Sequence, residues 1–392
     1  MIPLMKSAFL QEEETKKALC EFIMQAKRLS MDVKCGEFEK AFTKKQGAKH
    51  AILFNSGGSA NLAMLQTAKN LGLLKAGDEI GFSALTWSTN VMPIIQLGMK
   101  PVAIDCDPTT LNSMSKHLLA TLKKHDIRAF FATNALGFAG DLAKIKKICE
   151  ENDILLLEDN CESLGTELPE GKTGNFGLGA SFSFYVAHHM STIEGGMVCT
   201  DNDDFAEMLR IVRANGWDRN LEPHQQKRWR EKYDIESEFH SKYSFYDLGF
   251  NLRPTEITGF LGLHQLQSLD EGLAAREKNH IRLEKELLKN PDLIALNRSH
   301  VKTFSPFAFV IVCKTPELKN KYLTRFVDAE IEVRPVIAGN MQTQPFYKKY
   351  VEKIVDLPGA EFLHHNGFYC GNYPELTERD LDTISGCLKT YE

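Results

Sequence analysis

Between residues 51 and 200 the chain alternates short apolar runs with longer segments of helical spacing, and this rhythm leaves few folds open. Residues 51–54, 79–82, 101–105, 129–132, 154–157, 180–184 and 197–200 are the runs that predict strands. Helical patterns at 59–71, 90–97 and 142–150 fall between them. Strands separated by helices form βαβ units, so the expected fold is α/β, with a mostly parallel sheet covered on both faces. Helices are also predicted over 11–29 and 36–46 before the first strand. Residues 220–242 are polar and charge-rich and break the rhythm, which predicts a long surface loop, a lid or a subunit contact. A long helix is expected over 254–288, followed by a strand at 308–312, a helix near 319–329 and a terminal helix after Glu375. These patterns divide the chain into a large domain (1–250), a linking helix (251–290) and a small C-terminal α+β domain (291–392).

The 392 residues carry a formal net charge of −5, which argues against a general nucleic-acid binder. No apolar run reaches the roughly 20 residues that span a bilayer, and the first residues lack the layout of a signal peptide, so a cytoplasmic protein with no membrane partner is expected. The nine cysteines are widely spaced, with no Cys-x-x-Cys pair, so neither a disulfide framework nor a structural zinc site is expected.

Four short segments hold the residues suited to chemistry. Asn55-Ser-Gly-Gly-Ser-Ala stands between a predicted strand and helix, where small residues let backbone N–H groups approach an anion at the helix N-terminus. Glu158-Asp-Asn-Cys-Glu162 ends a very apolar strand. Ligands of parallel α/β sheets sit beyond the carboxyl ends of strands, so Asp159 is placed to hold a cationic partner. The third segment runs from Ser181 to Gly196 and contains Ser183, His188 and His189. Adjacent histidines point in different directions and no His-Glu-x-x-His accompanies them, so no metal site is expected. The fourth is Gly249-Phe-Asn251-Leu-Arg-Pro, leading into the long helix.

In this order the four segments resemble the DegT/DnrJ/EryC1/StrS family of sugar aminotransferases, and the resemblance covers nearly the whole chain. It implies the aspartate-aminotransferase-like fold, type I of the pyridoxal-phosphate enzymes. It also implies that Gly57, Gly58 and Ser183 bind the cofactor phosphate and that Asp159 pairs with the pyridine nitrogen. Trp87 lies against the ring in this reading, and Glu162 is a further cofactor contact. Asn251 would reach the phosphate of a neighbouring subunit's cofactor, which implies a homodimer with shared active sites. Arg219 and Arg334 are candidate substrate contacts. Pro335 restrains Arg334 to an extended backbone, and arginine is the common clamp for carboxylate or phosphate.

One position departs from the family's aminotransferases. Where they carry a lysine that holds the cofactor covalently, five residues after the phosphate-binding serine, this chain has His188. Imidazole cannot make that bond, yet it can act as base and acid near neutral pH. The resemblance is then to the 3-dehydratase branch of the family. It implies pyridoxamine 5′-phosphate held non-covalently (pyridoxal 5′-phosphate in its other form), a nucleotide-linked 4-keto-6-deoxy sugar such as the GDP-mannose derivative as substrate, and L-glutamate as the amine source. The cysteine spacing does not suit an iron–sulfur cluster, which favours regeneration by glutamate. A sugar aminotransferase with a displaced lysine and an inactive cofactor-binding regulator remain the alternatives.

Overall fold

The computed structural model describes residues 1–391. Its central sheet contains β1 (His50–Phe54), β2 (Glu79–Ser83), β3 (Lys100–Ile104), β4 (Ile127–Thr133) and β5 (Leu155–Asp159). A small antiparallel hairpin, β6 (Glu167–Leu168) and β7 (Gly171–Lys172), stands apart, and β8 (Gly179–Ser183) and β9 (Gly196–Thr200) complete the seven-stranded sheet. The strand order is β1-β9-β8-β5-β4-β2-β3. Five strands pair in parallel (β8-β5-β4-β2-β3), while β9 runs antiparallel to both its neighbours. The segment 184–195 that joins β8 to β9 contains no helix to carry a crossover over the sheet, and the chain turns straight back. That return loop carries His188. It lies at the carboxyl end of β8, the same edge where β5 delivers Asp159 and β1 delivers the glycine turn.

The sheet is buried on both faces because its side chains alternate between two apolar layers. In β4, Phe131 packs into the layer with Met64, Phe205 and Leu209, whereas Phe130 packs with Leu142, Ile145 and Leu118 on the other side. The helices Gly57–Asn70 and Asp203–Arg213 supply the first layer, and Ser115–Leu122 and Leu142–Glu151 supply the second.

The helix Glu256–Leu287 is 32 residues long, about 48 Å at the α-helical rise. It leads to a three-stranded antiparallel sheet in the order β10-β12-β11, formed by β10 (Ala308–Val312), β11 (Val333–Pro335) and β12 (Gly367–Gly371). Tyr322 and Phe326 from one helix, and Leu381 and Ile384 from another, close its core. Arg334 lies within β11, extended as Pro335 requires, and pairs with Tyr369. The edge position of β11 tolerates Pro335, which has no N–H to donate. The segment expected as a surface loop (220–242) contains two helices, Pro223–Lys232 and Glu238–Ser241. Pro223 opens the first, Glu222 and Gln225 cap it, and Trp229 and Tyr233 pack on Tyr246. Among the described residues no helix is long and apolar enough to cross a membrane.

The end of β1 is pinned by a buried ion pair. Arg213, 1% exposed, donates to Glu39 Oε1 at 2.6 Å and to the Leu53 carbonyl at 2.8 Å, while Glu39 Oε1 also accepts from the Leu53 N–H at 2.8 Å. Replacing Arg213 by Met leaves the Glu39 carboxylate largely enclosed without its cation. The expected loss is about 3–5 kcal/mol of unfolding free energy, read from the urea midpoint at unchanged slope. A loss below about 1 kcal/mol would mean that water reaches Glu39 freely.

Candidate active site

β1 ends at Phe54, and Ser56 then caps the helix Gly57–Asn70 by accepting from the Ser59 N–H at 3.0 Å. The cap occupies the third N–H and leaves those of Gly57 and Gly58 for an anion. Side chains have no room here. A Cβ on Gly57 would stand 2.7 Å from Ser183 Cβ and 3.1 Å from Cys161 Sγ, and one on Gly58 would stand 3.0 Å from Thr89 Cγ2. Gly196, opposite Phe54 in the sheet, is equally constrained, since its Cβ would come 2.2 Å from the Ser56 carbonyl oxygen. The turn, β8 and β9 therefore close on one small cradle.

Asp159 is 5% exposed and is held in one orientation. Its Oδ2 accepts from Asn61 Nδ2 at 2.9 Å, and its Oδ1 accepts from the Cys161 N–H at 2.9 Å. Asn61 sits one turn beyond Gly57 on the same helix and also donates to Thr89 Oγ1 at 3.2 Å. No cation touches Asp159 among the described residues. The preceding Glu158 is fully buried and organises the strand end, accepting from the N–H groups of Gly174, Phe176 and Gly177 and from Asn134. Glu162 accepts from the Leu136 N–H at 3.0 Å. Burial pushes its carboxyl up to about 7, with the nearby Asp159 charge adding to the rise and the Leu136 hydrogen bond opposing it.

The loop after β8 turns at Tyr185, whose carbonyl accepts from the His188 N–H at 2.9 Å. The His188 ring packs edge-on against Phe307 and Tyr185, with centroid separations of 5.2 and 5.9 Å. Its Nδ1 is buried and has no partner among the described residues, and the residue lines the cavity that these groups share. Burial, reinforced by the Arg276 charge, lowers its pKa to about 4, so the imidazole is neutral at pH 7. The neighbouring His189 is fully buried and faces the Ser305 carbonyl at 3.3 Å, a structural contact.

These groups line one cavity of about 590 Å³. Of the residues singled out in the sequence, Gly57, Gly58, Trp87, Asp159, Glu162, Ser183, His188 and Arg334 line it. Asn251 and Arg219 do not; both are exposed outside the cavity of their own chain, with Arg219 lying over the Trp217 ring at 5.2 Å. Arg334 enters from the small sheet and donates to Glu332 Oε1 at 2.5 Å. Asn61, Phe307 and Tyr369 also belong to the site and were not legible as single residues. Only Asn61 left a trace, its spacing of four from Gly57.

The residues fit pyridoxal or pyridoxamine phosphate. Two helix N–H groups and the Ser183 hydroxyl suit the phosphate, and the buried carboxylate with only neutral donors suits a protonated ring nitrogen. Trp87, 57% exposed at the cavity mouth, has no aromatic partner of its own and is available to cover a ring. Among the described residues no lysine lines the cavity.

A model of the DegT/DnrJ/EryC1/StrS aminotransferase family matches residues 10–389. The chain belongs to this family. It is 32% identical over 371 residues to the GDP-4-keto-6-deoxy-D-mannose 3-dehydratase of Escherichia coli O55:H7, covering 94% of this chain and 95% of that protein. The solved structure of the E. coli enzyme with bound hydrated PLP superposes with a TM-score of 0.90 at 30% identity, covering 99% of both chains. A structure of GDP-4-keto-6-deoxymannose-3-dehydratase with a trapped PLP-glutamate geminal diamine superposes equally well (TM-score 0.90, 30% identity, 99% of this chain and 100% of that one).

Glu162 sets a pH dependence of stability. Its folded pKa of about 7 lies above its ordinary value of 4.5, so the folded state binds the extra proton between these values. The stability contribution is present below 4.5 and is lost as the pH rises through about 7. In cofactor-free protein, Glu162→Gln should gain stability relative to the parent over that window, measured as the difference in urea-unfolding free energy. A difference that does not vary with pH would mean that Glu162 is well solvated.

Proposed function

We propose that this family member is a pyridoxamine-phosphate-dependent dehydratase that removes the 3-hydroxyl of GDP-4-keto-6-deoxy-D-mannose and is recharged by L-glutamate. The observation that carries this reading is His188 on the wall of a cofactor-sized cavity that, among the described residues, no lysine lines. The likeness to a 3-dehydratase of that substrate, over almost the full length of both chains, supports the choice of sugar.

When bound, the cofactor supplies an amine for the sugar's keto carbon and a ring that accepts electrons. The chain's own residues do the rest. Gly57, Gly58 and Ser183 bind the phosphate, Trp87 covers the ring, and Asp159, fixed by Asn61, holds the proton on the ring nitrogen. His188 stands neutral at pH 7 and so can accept a proton at Nε2 without first losing one. Enclosed and flanked by Arg276, the resulting imidazolium is a strong acid and passes the proton to the departing 3-hydroxyl, which leaves as water. Overall the sugar loses one oxygen, glutamate becomes 2-oxoglutarate, and ammonia is released. Enclosure by Phe307 and Tyr369 limits competing water at the reacting centre.

Arg334 is the residue we assign to the carboxylate of glutamate or the sugar diphosphate, exchanging its contact with Glu332 for the ligand. In this reading the working unit is a homodimer. Exposed and outside its own cavity, Asn251 serves the cofactor phosphate of a second copy, and Arg219 meets that copy's nucleotide sugar. Glutamate and nucleotide sugars are cytoplasmic metabolites, and we assign the enzyme to that compartment.

Purified protein given GDP-4-keto-6-deoxy-D-mannose, cofactor and glutamate should form the 3-deoxy sugar with equal amounts of 2-oxoglutarate and ammonia. Nitrogen retained on the sugar would make it an aminotransferase. His188→Asn should keep the cofactor and lower turnover about 10²–10⁴-fold, whereas near-parental turnover would assign the proton transfer elsewhere.

A further inference from the structure

Arg276 stands near the middle of the helix Glu256–Leu287, 5% exposed, and forms no ion pair with a carboxylate among the described residues. Its guanidinium instead donates to three carbonyl oxygens from three separate segments: Asn372 at 2.5 Å, Phe307 at 2.9 Å and His188 at 3.4 Å. Asn372 returns a bond from its Nδ2 to the Arg276 carbonyl at 3.1 Å. Burying an arginine without a carboxylate costs several kcal/mol after relaxation, and three carbonyl dipoles offset only part of that. A hydrophobic residue would pack the helix at less expense, so the charge needs a reason.

The three segments indicate one. His188 is the proton-transfer residue, Phe307 packs its ring against both His188 and His189 at 5.2 and 5.8 Å, and Asn372 follows β12, the strand that brings Tyr369 to the cavity. We propose that Arg276 is the positioning residue for proton transfer by His188: its planar fork locks the His188 turn to Phe307 and to the end of β12 and sets a fixed positive charge beside that turn. This rests on the reading of His188 as the base.

Geometry and electrostatics agree. After burial, the Arg276 charge is the next cause of the lowered His188 pKa, and it acts in the same direction on His189. The other titratable groups around His188 are Tyr185, His189 and Glu194 on its own loop, Asp159 at the end of β5, Cys161 and Glu162 just beyond it, Arg334 on β11, Tyr369 on β12, and Tyr373 and Glu375 after it. Of these, Glu375 offsets part of the burial penalty on Arg276, whose own pKa is still lowered to about 10. Lysine could supply the charge but not the fork, since an ammonium has no planar set of donors to span three acceptors.

The test reads the His188 ring directly, by NMR of cofactor-loaded enzyme carrying ring-labelled histidine, with the signal assigned by its loss in His188→Asn. In the parent the ring should stay neutral from about pH 5.5 to 7, where an ordinary imidazole titrates. In Arg276→Met the midpoint should rise toward the ordinary value, and kcat should fall about tenfold or more from misplacement of the ring, with the KM for glutamate within about twofold. Arg276→Lys should keep the low midpoint and restore part of kcat. A folded Arg276→Met whose ring titrates as the parent's does would overturn the proposal, as would an Arg276→Lys that matches Met in both readouts. If the Met variant does not fold, the parent and the Lys variant decide: a parent ring that titrates between about pH 5.5 and 7 overturns it. The ring measurement needs no substrate, so a failure of the dehydratase reading shows up separately, as absence of 3-deoxy product from the parent enzyme.

Discussion

At the carboxyl end of β5 a carboxylate lies almost fully out of water with only neutral donors on its oxygens, the Asn61 amide and the Cys161 N–H. Enclosing such a group is expensive unless a cation meets it, and the site is arranged to let one do so. Asn61 orients Asp159 from the helix that begins at the glycine turn, so in the proposed function the two anchors of a cofactor, a carboxylate for its protonated ring nitrogen and N–H groups for its phosphate, sit on one element pair. Behind them, Glu158 gathers three backbone N–H groups and Asn134 and stiffens the strand end. Arg213 and Glu39 secure β1, from which the glycine turn departs.

The reactive side of the cavity is organised differently. The antiparallel return from β8 to β9 puts His188 on a loop, and loops need support from outside to hold a catalytic ring still. That support comes from the helix Glu256–Leu287 and the segment leading into β10, through Arg276 and Phe307. Electrostatics follow from the same enclosure. Low exposure and a neighbouring guanidinium disfavour the charged imidazole, which suits the proton-transfer role proposed for it. Glu162, in the same cavity, is shifted the other way by burial, its carboxyl raised where the imidazole is lowered. Enclosure thus disfavours charge on both His188 and Glu162.

Much of the fold is legible in the chain because buried parallel strands read as apolar runs and their crossovers as helical periods. The positions of Asp159, Ser183, His188 and the glycine pair are legible because their motifs occupy strand ends, where the fold class itself places ligands. What was not legible depends on tertiary partners. Asn61 and Phe307 are ordinary in sequence and acquire roles only when Asp159 and His188 pack against them, and Tyr369 only when β12 carries it to the cavity wall. The strand β12 is five residues long with glycine at both ends, too short to carry a strong period, and β11 carries a proline that argues against a strand except at an edge. Residues 220–242 looked like a loop because their composition is polar, yet capping and local aromatic packing fold two helices there. Composition reports exposure to solvent better than it reports backbone conformation.

The central claim is that substitution of His188 for a lysine leaves the cofactor held without a covalent bond in an enzyme that is nonetheless active. Borohydride reduction of the turning-over, pyridoxal-phosphate-loaded protein, followed by peptide mass spectrometry, tests this most directly. The account predicts cofactor that is released on denaturation and no lysine peptide bearing its mass. A reduced cofactor attached stoichiometrically to any lysine of the active enzyme would contradict it.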